Sequence, residues 1–393
     1  MEKRFTTSSF PLSAIKEMEI RASKLTDVVS LAQGKSFFPT PDPIREAAIA
    51  SLSTKRSDPY SQTYGLIELR QAVHSYIFDT SHRTYNPESE IIITAGANQA
   101  LFVSLATLCC RGDEFLVFTP SFATYARLVT LLGGKPVFIP LHENRSWHPS
   151  LQEIEKNITK KTKGIIICNP NNPTGTAFSH DEMSFLVKLA EKHHIFLLCD
   201  EVYYDFVYDG RQPLSILSFA TPKNRAYLLQ IFSFSKLFSM CGMRLGYVAG
   251  DQSVIKEIIK THDTNIVCAP TVSQYAGYEA LISCRSYTQT FKQEYIKRRA
   301  LLTKRIEPLS DFFEYQSPQG TFYAFPRLKK EKNSLHFCLE LLEQARVALV
   351  PGSTFGPTGE AHVRIAFAST EGVINRAFDR IEVHLKRKTR KTL

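Results

Sequence analysis

Residues 164–200 read "GIIICNPNNPTGTAFSHDEMSFLVKLAEKHHIFLLCD". Two apolar runs of strand length, "GIIICN" and "IFLLCD", enclose "SHDEMSFLVKLAEKHH", whose apolar residues recur at helical spacing. Neither run alternates polar with apolar residues, so each is expected to be covered on both faces. A helix between two such strands is the crossover of a parallel sheet.

The same texture extends in both directions. "EIIIT", "EFLVFT", "PVFIP", "AYLLQIF" and "GYVAG" are further short apolar runs, and "NQALFVSLATL" has helical spacing. The alternation predicts an α/β fold: a large domain over residues 45–280 with a mainly parallel, seven-stranded sheet between helices. Past Ala280 a long charged helical pattern, "RSYTQTFKQEYIKRRALLTKRIEPL", precedes strand-like "GTFYAFP", "ARVALVP" and "AHVRIAF". These predict a smaller α+β domain over 281–385, completed by an N-terminal arm, 1–44; residues 386–393 are a basic tail.

Hydrophobic residues make up 43% of the 393 and charged residues 22%, the balance of a globular chain with an ample core. The net charge is +10, but Lys386, Arg387, Lys388, Arg390 and Lys391 concentrate in "KRKTRKTL". Such a terminal run is expected to be a solvated end and not a nucleic-acid or membrane site. Eight cysteines without a C-x-x-C or a disulfide-framework spacing read as free thiols of a reducing compartment, and no metal is expected. No apolar run reaches membrane-spanning length and no signal-peptide core is visible, so a cytoplasmic protein is expected.

In an open α/β sheet, ligands sit beyond the carboxyl ends of the strands. "IIIT" leads into "AGANQAL", small residues before a helix, which suits an anion held by backbone N–H groups and is equally an ordinary tight turn. "IIICNP" leads to Asn172 in a Pro/Asn/Gly turn. "IFLLCD" ends in Asp200, with Tyr203 beyond it, and a carboxylate there is also a common helix cap. "LLQIFSFSK" ends in Ser233, Ser235 and Lys236, and Arg244 follows; these two cations stand among mostly apolar neighbours and call for anionic or covalent partners. One ligand with a phosphate, a cationic ring nitrogen, a ring oxygen and an aldehyde accounts for the whole set: pyridoxal 5′-phosphate.

The chain also resembles a known family, the fold type I, class I aminotransferases. "LAQGKSFFPTP", "YSQTYGLIELR", "TAGANQAL", "RGDEFLVFTPSFATY", "NPNNPTG", "CDEVYYD", "SFSKLFSMCGMRLGY", "QGTFYAFP", "VPGSTFG" and "HVRIAFA" occur in family order along nearly the whole chain. The resemblance implies that Lys236 carries the cofactor as a Schiff base and that Asp200 keeps its pyridine nitrogen protonated. Asn172 and Tyr203 match the residues bonding the ring oxygen, and Phe122 the aromatic stacked on the ring. The backbone of Ala97 and Asn98, with Ser233 and Arg244, matches the phosphate cup. Tyr60 matches a tyrosine reaching the partner subunit's phosphate, which implies a homodimer with shared sites. Arg364 matches the arginine gripping the substrate α-carboxylate, with Gly34 and Asn172 beside it; an arginine interrupting the apolar strand "AHVRIAFA" suits that bidentate task.

Two departures from the family pattern stand out; the first bears on substrate and the second is expected to alter local packing only. Similar bacterial aspartate aminotransferases carry "GGKQAL", with a lysine for the distal carboxylate, where this chain has "GANQAL" and Asn98. The usual Gly-Trp before the phosphate arginine is Gly242 and Met243. "QGKSFFPTP" has some likeness to kynurenine and glutamine aminotransferases, so aromatic, methionine-like or glutamine-like donors stand beside aspartate. A β-eliminating C–S lyase on the same scaffold is the rival reaction. A cofactor-binding transcriptional regulator would need a DNA-binding module, and none is expected ahead of motifs that begin at Leu31.

Overall fold

The computed structural model describes residues 14–392, and the remainder of the expected arm and tail lies outside the described residues. Seven runs form the central sheet: β1 Ile91–Thr94, β2 Glu114–Thr119, β3 Lys135–His142, β4 Thr162–Cys168, β5 Phe196–Asp200, β6 Leu228–Ser233 and β7 Gly246–Gly250. Their order across the sheet is β1-β7-β6-β5-β4-β2-β3. All point the same way except β7, which is antiparallel to both neighbours. β1 and β6 are buried from end to end and β4 at every residue but Lys163, as their apolar character requires.

One element exceeds the seven-stranded expectation. After β3 the chain turns at Glu143–Arg145 and lays His148–Pro149 antiparallel against Leu141 and His142, an eighth, two-residue edge strand. So short a run carries no periodicity to read.

Two helices connect sequence to site. α1, Ala97–Leu108, starts directly beyond β1, with Gly96 as its N-cap at φ 83°. α2, His180–His193, is the crossover between β4 and β5. Its start is a capping box: the Ser179 hydroxyl accepts from the Glu182 N–H, and the Glu182 carboxylate accepts from the Ser179 N–H.

The C-terminal part is built on α3, Arg285–Ile306, and a three-stranded antiparallel sheet of β8 Tyr323–Ala324, β9 Val350–Pro351 and β10 Val363–Ala366, with β10 central. Val29–Ser30 pairs in parallel with Val347–Ala348, so the N-terminal segment is stitched to this part. The boundary expected at residue 280 falls inside the helix Thr271–Ser283, just ahead of the break at Cys284. The basic tail is not a separate end either. The last helix, α4, runs Glu371–Thr392, with Ile374, Phe378, Ile381 and Leu385 buried along one face. Lys386 pairs with Glu382 and Lys388 with Glu340. Among the described residues no helix is long and apolar enough to cross a membrane.

Candidate active site

Parallel strands put their carboxyl ends on one edge, so Thr94, Cys168, Asp200 and Ser233 emerge side by side. The antiparallel β7 adds its opposite end: Gly246 pairs with both Thr94 and Ser233, which brings Arg244 to the same edge. A cavity of about 230 Å³ opens there. It is lined by Gly34, Ala97, Asn98, Phe122, Asn172, Asp200, Tyr203, Ser233, Lys236, Arg244 and Arg364, every site residue read from sequence except Tyr60. Tyr60 lies on the surface, 83% exposed.

Asp200 ends β5 and is buried, and no helix follows it for its carboxylate to cap. Its Oδ2 accepts from the Tyr125 hydroxyl at 2.6 Å and its Oδ1 from the Val202 N–H at 3.4 Å. Burial raises its pKa to about 6, opposed by those two hydrogen bonds and by the charge of Lys236. At neutral pH it is an anion in an apolar setting, a group that favours a cation beside it.

Lys236 sits on the single turn Phe234–Leu237, which Ser233 caps by accepting from the Ser235 N–H at 3.1 Å. The lysine Nζ donates to the Gly34 carbonyl at 2.5 Å. Arg244 adopts a left-handed backbone and donates to Cys241 O at 3.1 Å and Ser235 Oγ at 3.5 Å. Contrary to the buried setting its apolar neighbours suggest, it is exposed while also lining the cavity. Gly96 is confined by it: a Cβ there would come within 2.8 Å of the guanidinium. Arg244 therefore lies against the start of α1, where unpaired N–H groups and the helix dipole favour an anion.

Arg364, in the middle of β10, is 2% exposed and has no carboxylate partner among the described residues. One Nη donates to Asn172 Oδ1 at 3.2 Å, the other to Ala32 O at 2.7 Å, and Nε has no partner. The Tyr323 ring lies 4.4 Å from its guanidinium carbon and the Phe355 ring 5.1 Å. Burial lowers its pKa, the mark of a cation short of a counter-ion.

The structure adds residues that sequence reading passed over. Tyr125 and Cys168 flank Asp200, and the Tyr323 hydroxyl lies 2.9 Å from that of Tyr203. Tyr125 and Tyr323 belong to stretches whose motifs were visible, "PSFATY" and "QGTFYAFP", but nothing local shows which ring turns inward. Tyr323 also explains Gly34, since a Cβ there would approach its hydroxyl to 2.2 Å. Gly34→Ala is expected to displace that ring at a cost of about 1–3 kcal/mol. Steady-state kinetics should show this as a rise of about tenfold in KM.

The residues fit pyridoxal phosphate. Asp200 supplies an anion for the ring nitrogen, and Lys236 an amine for the aldehyde. The start of α1 with Ser233, Ser235 and Arg244 makes a cradle for the phosphate. The orphaned Nε of Arg364 leaves a donor for a carboxylate.

Comparison with known proteins agrees. The family model for aminotransferase class I and II matches residues 26–381. The chain is 36% identical over 379 residues to aromatic-amino-acid aminotransferase 2 of Thermococcus litoralis, covering 96% of each chain. It is equally identical, with the same coverage, to an aspartate aminotransferase of Pyrococcus abyssi. Its fold superposes on the aromatic aminotransferase of Pyrococcus horikoshii with a TM-score of 0.88 at 35% identity, covering 95% of this chain and 99% of that one. With its α/β architecture and cofactor-shaped site, this chain belongs to the class I and II aminotransferases, pyridoxal-phosphate-dependent enzymes of fold type I that move an amino group from an amino acid to a 2-oxo acid.

Proposed function

We propose that the cavity is the transamination site, that Lys236 is its covalent anchor and proton carrier, and that uncharged or aromatic amino acids are its preferred donors. The observation that carries this reading is the buried, anion-free guanidinium of Arg364 lining the same cavity as Lys236 and Asp200. Pyridoxal phosphate, when bound, supplies an aldehyde for the amine and a ring that accepts electrons. The chain's residues do the rest. Asp200 holds a positive charge at the ring nitrogen. Asn172, whose Oδ1 is engaged by Arg364, offers its amide N–H, together with the Tyr203 hydroxyl, to the ring oxygen. Phe122, which lines the same cavity, would pack against the ring. Ala97, Asn98, Ser233 and Arg244 hold the phosphate.

Arg364 grips the α-carboxylate and thereby presents the Cα–H to Lys236, whose Nζ takes that proton once it has left the Gly34 carbonyl. Arg364→Met is expected to raise KM for every amino acid by about 10²-fold or more, since it removes one partner of a buried charged pair. Initial-rate measurements with several donors check this.

Donor preference follows from what the cavity contains. Its cations are Lys236, Arg244 and Arg364, all with roles above, and Asn98 takes the place in sequence of the lysine in the "GGKQAL" of similar aspartate aminotransferases. Phe122 and Tyr203 are engaged with the cofactor in this reading, which leaves Tyr323, beside Arg364, as the aromatic part of the free wall. The deciding experiment mixes the cofactor-loaded enzyme with single amino acids and follows the cofactor spectrum without any acceptor. Fast conversion by aromatic or other uncharged donors supports the proposal. Fast conversion by aspartate alone, or pyruvate release without an acceptor, overturns it.

We also read the enzyme as a homodimer of the cytoplasm. Exposed Ile49 and Leu52 lie on the helix Asp42–Ser53, and exposed Tyr278 and Ile282 on Thr271–Ser283, which packs against it. With exposed Tyr60 they form the kind of apolar surface that a second copy covers. All eight cysteines are free, as a reducing compartment requires. Sedimentation at micromolar concentration should give twice the chain mass.

A further inference from the structure

α3 carries a cation that this reaction scheme does not use. Arg298 is 5% exposed, no carboxylate among the described residues pairs with it, and its Nε and one Nη have no hydrogen-bond partner. Glu294 and Glu371 act on it only through space, and burial lowers its pKa. What surrounds it is aromatic. Its guanidinium carbon lies 5.0 Å from the ring centre of Phe37, 4.8 Å from that of Phe38 and 5.9 Å from that of Tyr295. An uncharged side chain of the same length would fill the space without the burden of desolvation, so what the arginine adds is its attraction to ring faces.

Phe37 and Phe38 belong to the segment "QGKSFFPTP", residues 33–41, whose Gly34 lines the site, whereas Tyr295 belongs to α3 itself. At one end Gly34 accepts from Lys236. At the other, Phe38 O accepts from the Ser239 hydroxyl, and Thr40 donates to Ser239 O. Between them Ser36 and Tyr295 share a hydrogen bond at 3.1 Å, and Phe38 stacks on Phe291 with ring centres 4.3 Å apart. Phe291, Tyr295 and Arg298 follow one another at helical spacing, so a single face of α3 receives the whole segment.

We propose that Arg298 is a positioning residue: by holding Phe37 and Phe38 against α3 it fixes Gly34 over Lys236 and so sets the affinity for amino acid and 2-oxo acid substrates. It acts on where the segment lies and not on the proton transfer itself. The kinetic part of this inference rests on the role proposed for Lys236, and the segment's anchoring does not.

The test therefore has two arms, using R298M, R298K and F38L. In the cofactor-free full-length chain, trypsin cleavage after the exposed Lys35 reports release of the segment, read by mass spectrometry of the fragments. R298M is expected to speed that cleavage about tenfold while the urea midpoint stays near the parent's, and R298K, which keeps the cation, to restore most of the protection. In the loaded enzyme R298M should raise KM about tenfold with kcat within about twofold, and F38L should add little when combined with it. Unchanged Lys35 cleavage in both R298M and F38L overturns the inference, as does an R298K variant no better than R298M. Should R298M fail to fold, F38L alone carries both readouts. Faster cleavage with no turnover even in the parent would count against the role of Lys236 while leaving the anchor standing.

Discussion

Lys236→Ala is expected to yield a folded protein that binds pyridoxal phosphate without the absorbance of the lysine-linked form and turns over at least about 10³-fold more slowly. Two losses combine. The side chain is the only lysine lining the cavity, so no other amine there takes its place at the aldehyde. In the proposed scheme it is also the group that carries the proton from the substrate carbon. The fold should survive, because the half-buried side chain makes one hydrogen bond, to Gly34 O, while the surrounding turn is held by Ser233 and by buried Phe234 and Leu237. Absorbance spectra of the purified variant with added cofactor provide the check. Persistence of the lysine-linked band would remove Lys236 from its assigned place.

The second large effect is at Asp200. Asp200→Asn should keep the lysine-linked absorbance, because Lys236 is untouched, yet lose about 10²–10³-fold in turnover, since no fixed negative charge then holds a positive ring nitrogen. Its consequence for stability runs the other way. The folded pKa of Asp200, about 6, lies above its ordinary value of 3.8, so the folded chain binds that proton more tightly than the unfolded one. The stability this contributes is fully present below about pH 3.8 and is lost as pH rises through about 6. Above that pH the cofactor-free protein carries a penalty of up to about 3 kcal/mol that asparagine does not. Urea unfolding of the two cofactor-free chains should therefore show the gap moving in favour of the variant between pH 5 and about pH 7. A variant less stable than its parent at pH 8, or one with full activity, would contradict the assignment. Lost turnover and gained stability together would show function at this position maintained against stability, as is common where a charge is buried for chemistry.

Much of the site was legible because sheet geometry does the assembling. Once the apolar runs are accepted as parallel strands, Asp200, Ser233 and the "AGAN" turn must share an edge, however far apart they lie in the chain. Arg244 obeys the same logic in reverse, through a strand whose direction no residue pattern announces. Tyr125, Cys168 and Tyr323 were not legible, since each matters through one contact made across the fold and none stands in a position that composition marks out. The terminal basic run misled for a related reason. Read as charge alone it looks like a loose end, but Ile374, Phe378, Ile381 and Leu385 ahead of it bury one stripe, and the charges ride on the same helix.

The pairing of Gly246 with Ser233 closes residues 234–245 into one loop, and that loop holds both Lys236 and Arg244. The proposed covalent anchor and phosphate grip would therefore share a single opening event. Because Gly246 is also bonded to Thr94, whose strand leads into α1, that opening would strip the helix start of its neighbour at the same moment. With those roles, cofactor retention is expected to depend on one cooperative unit, and amide hydrogens at this junction should exchange together, slowly when the cofactor is bound and faster once it is gone.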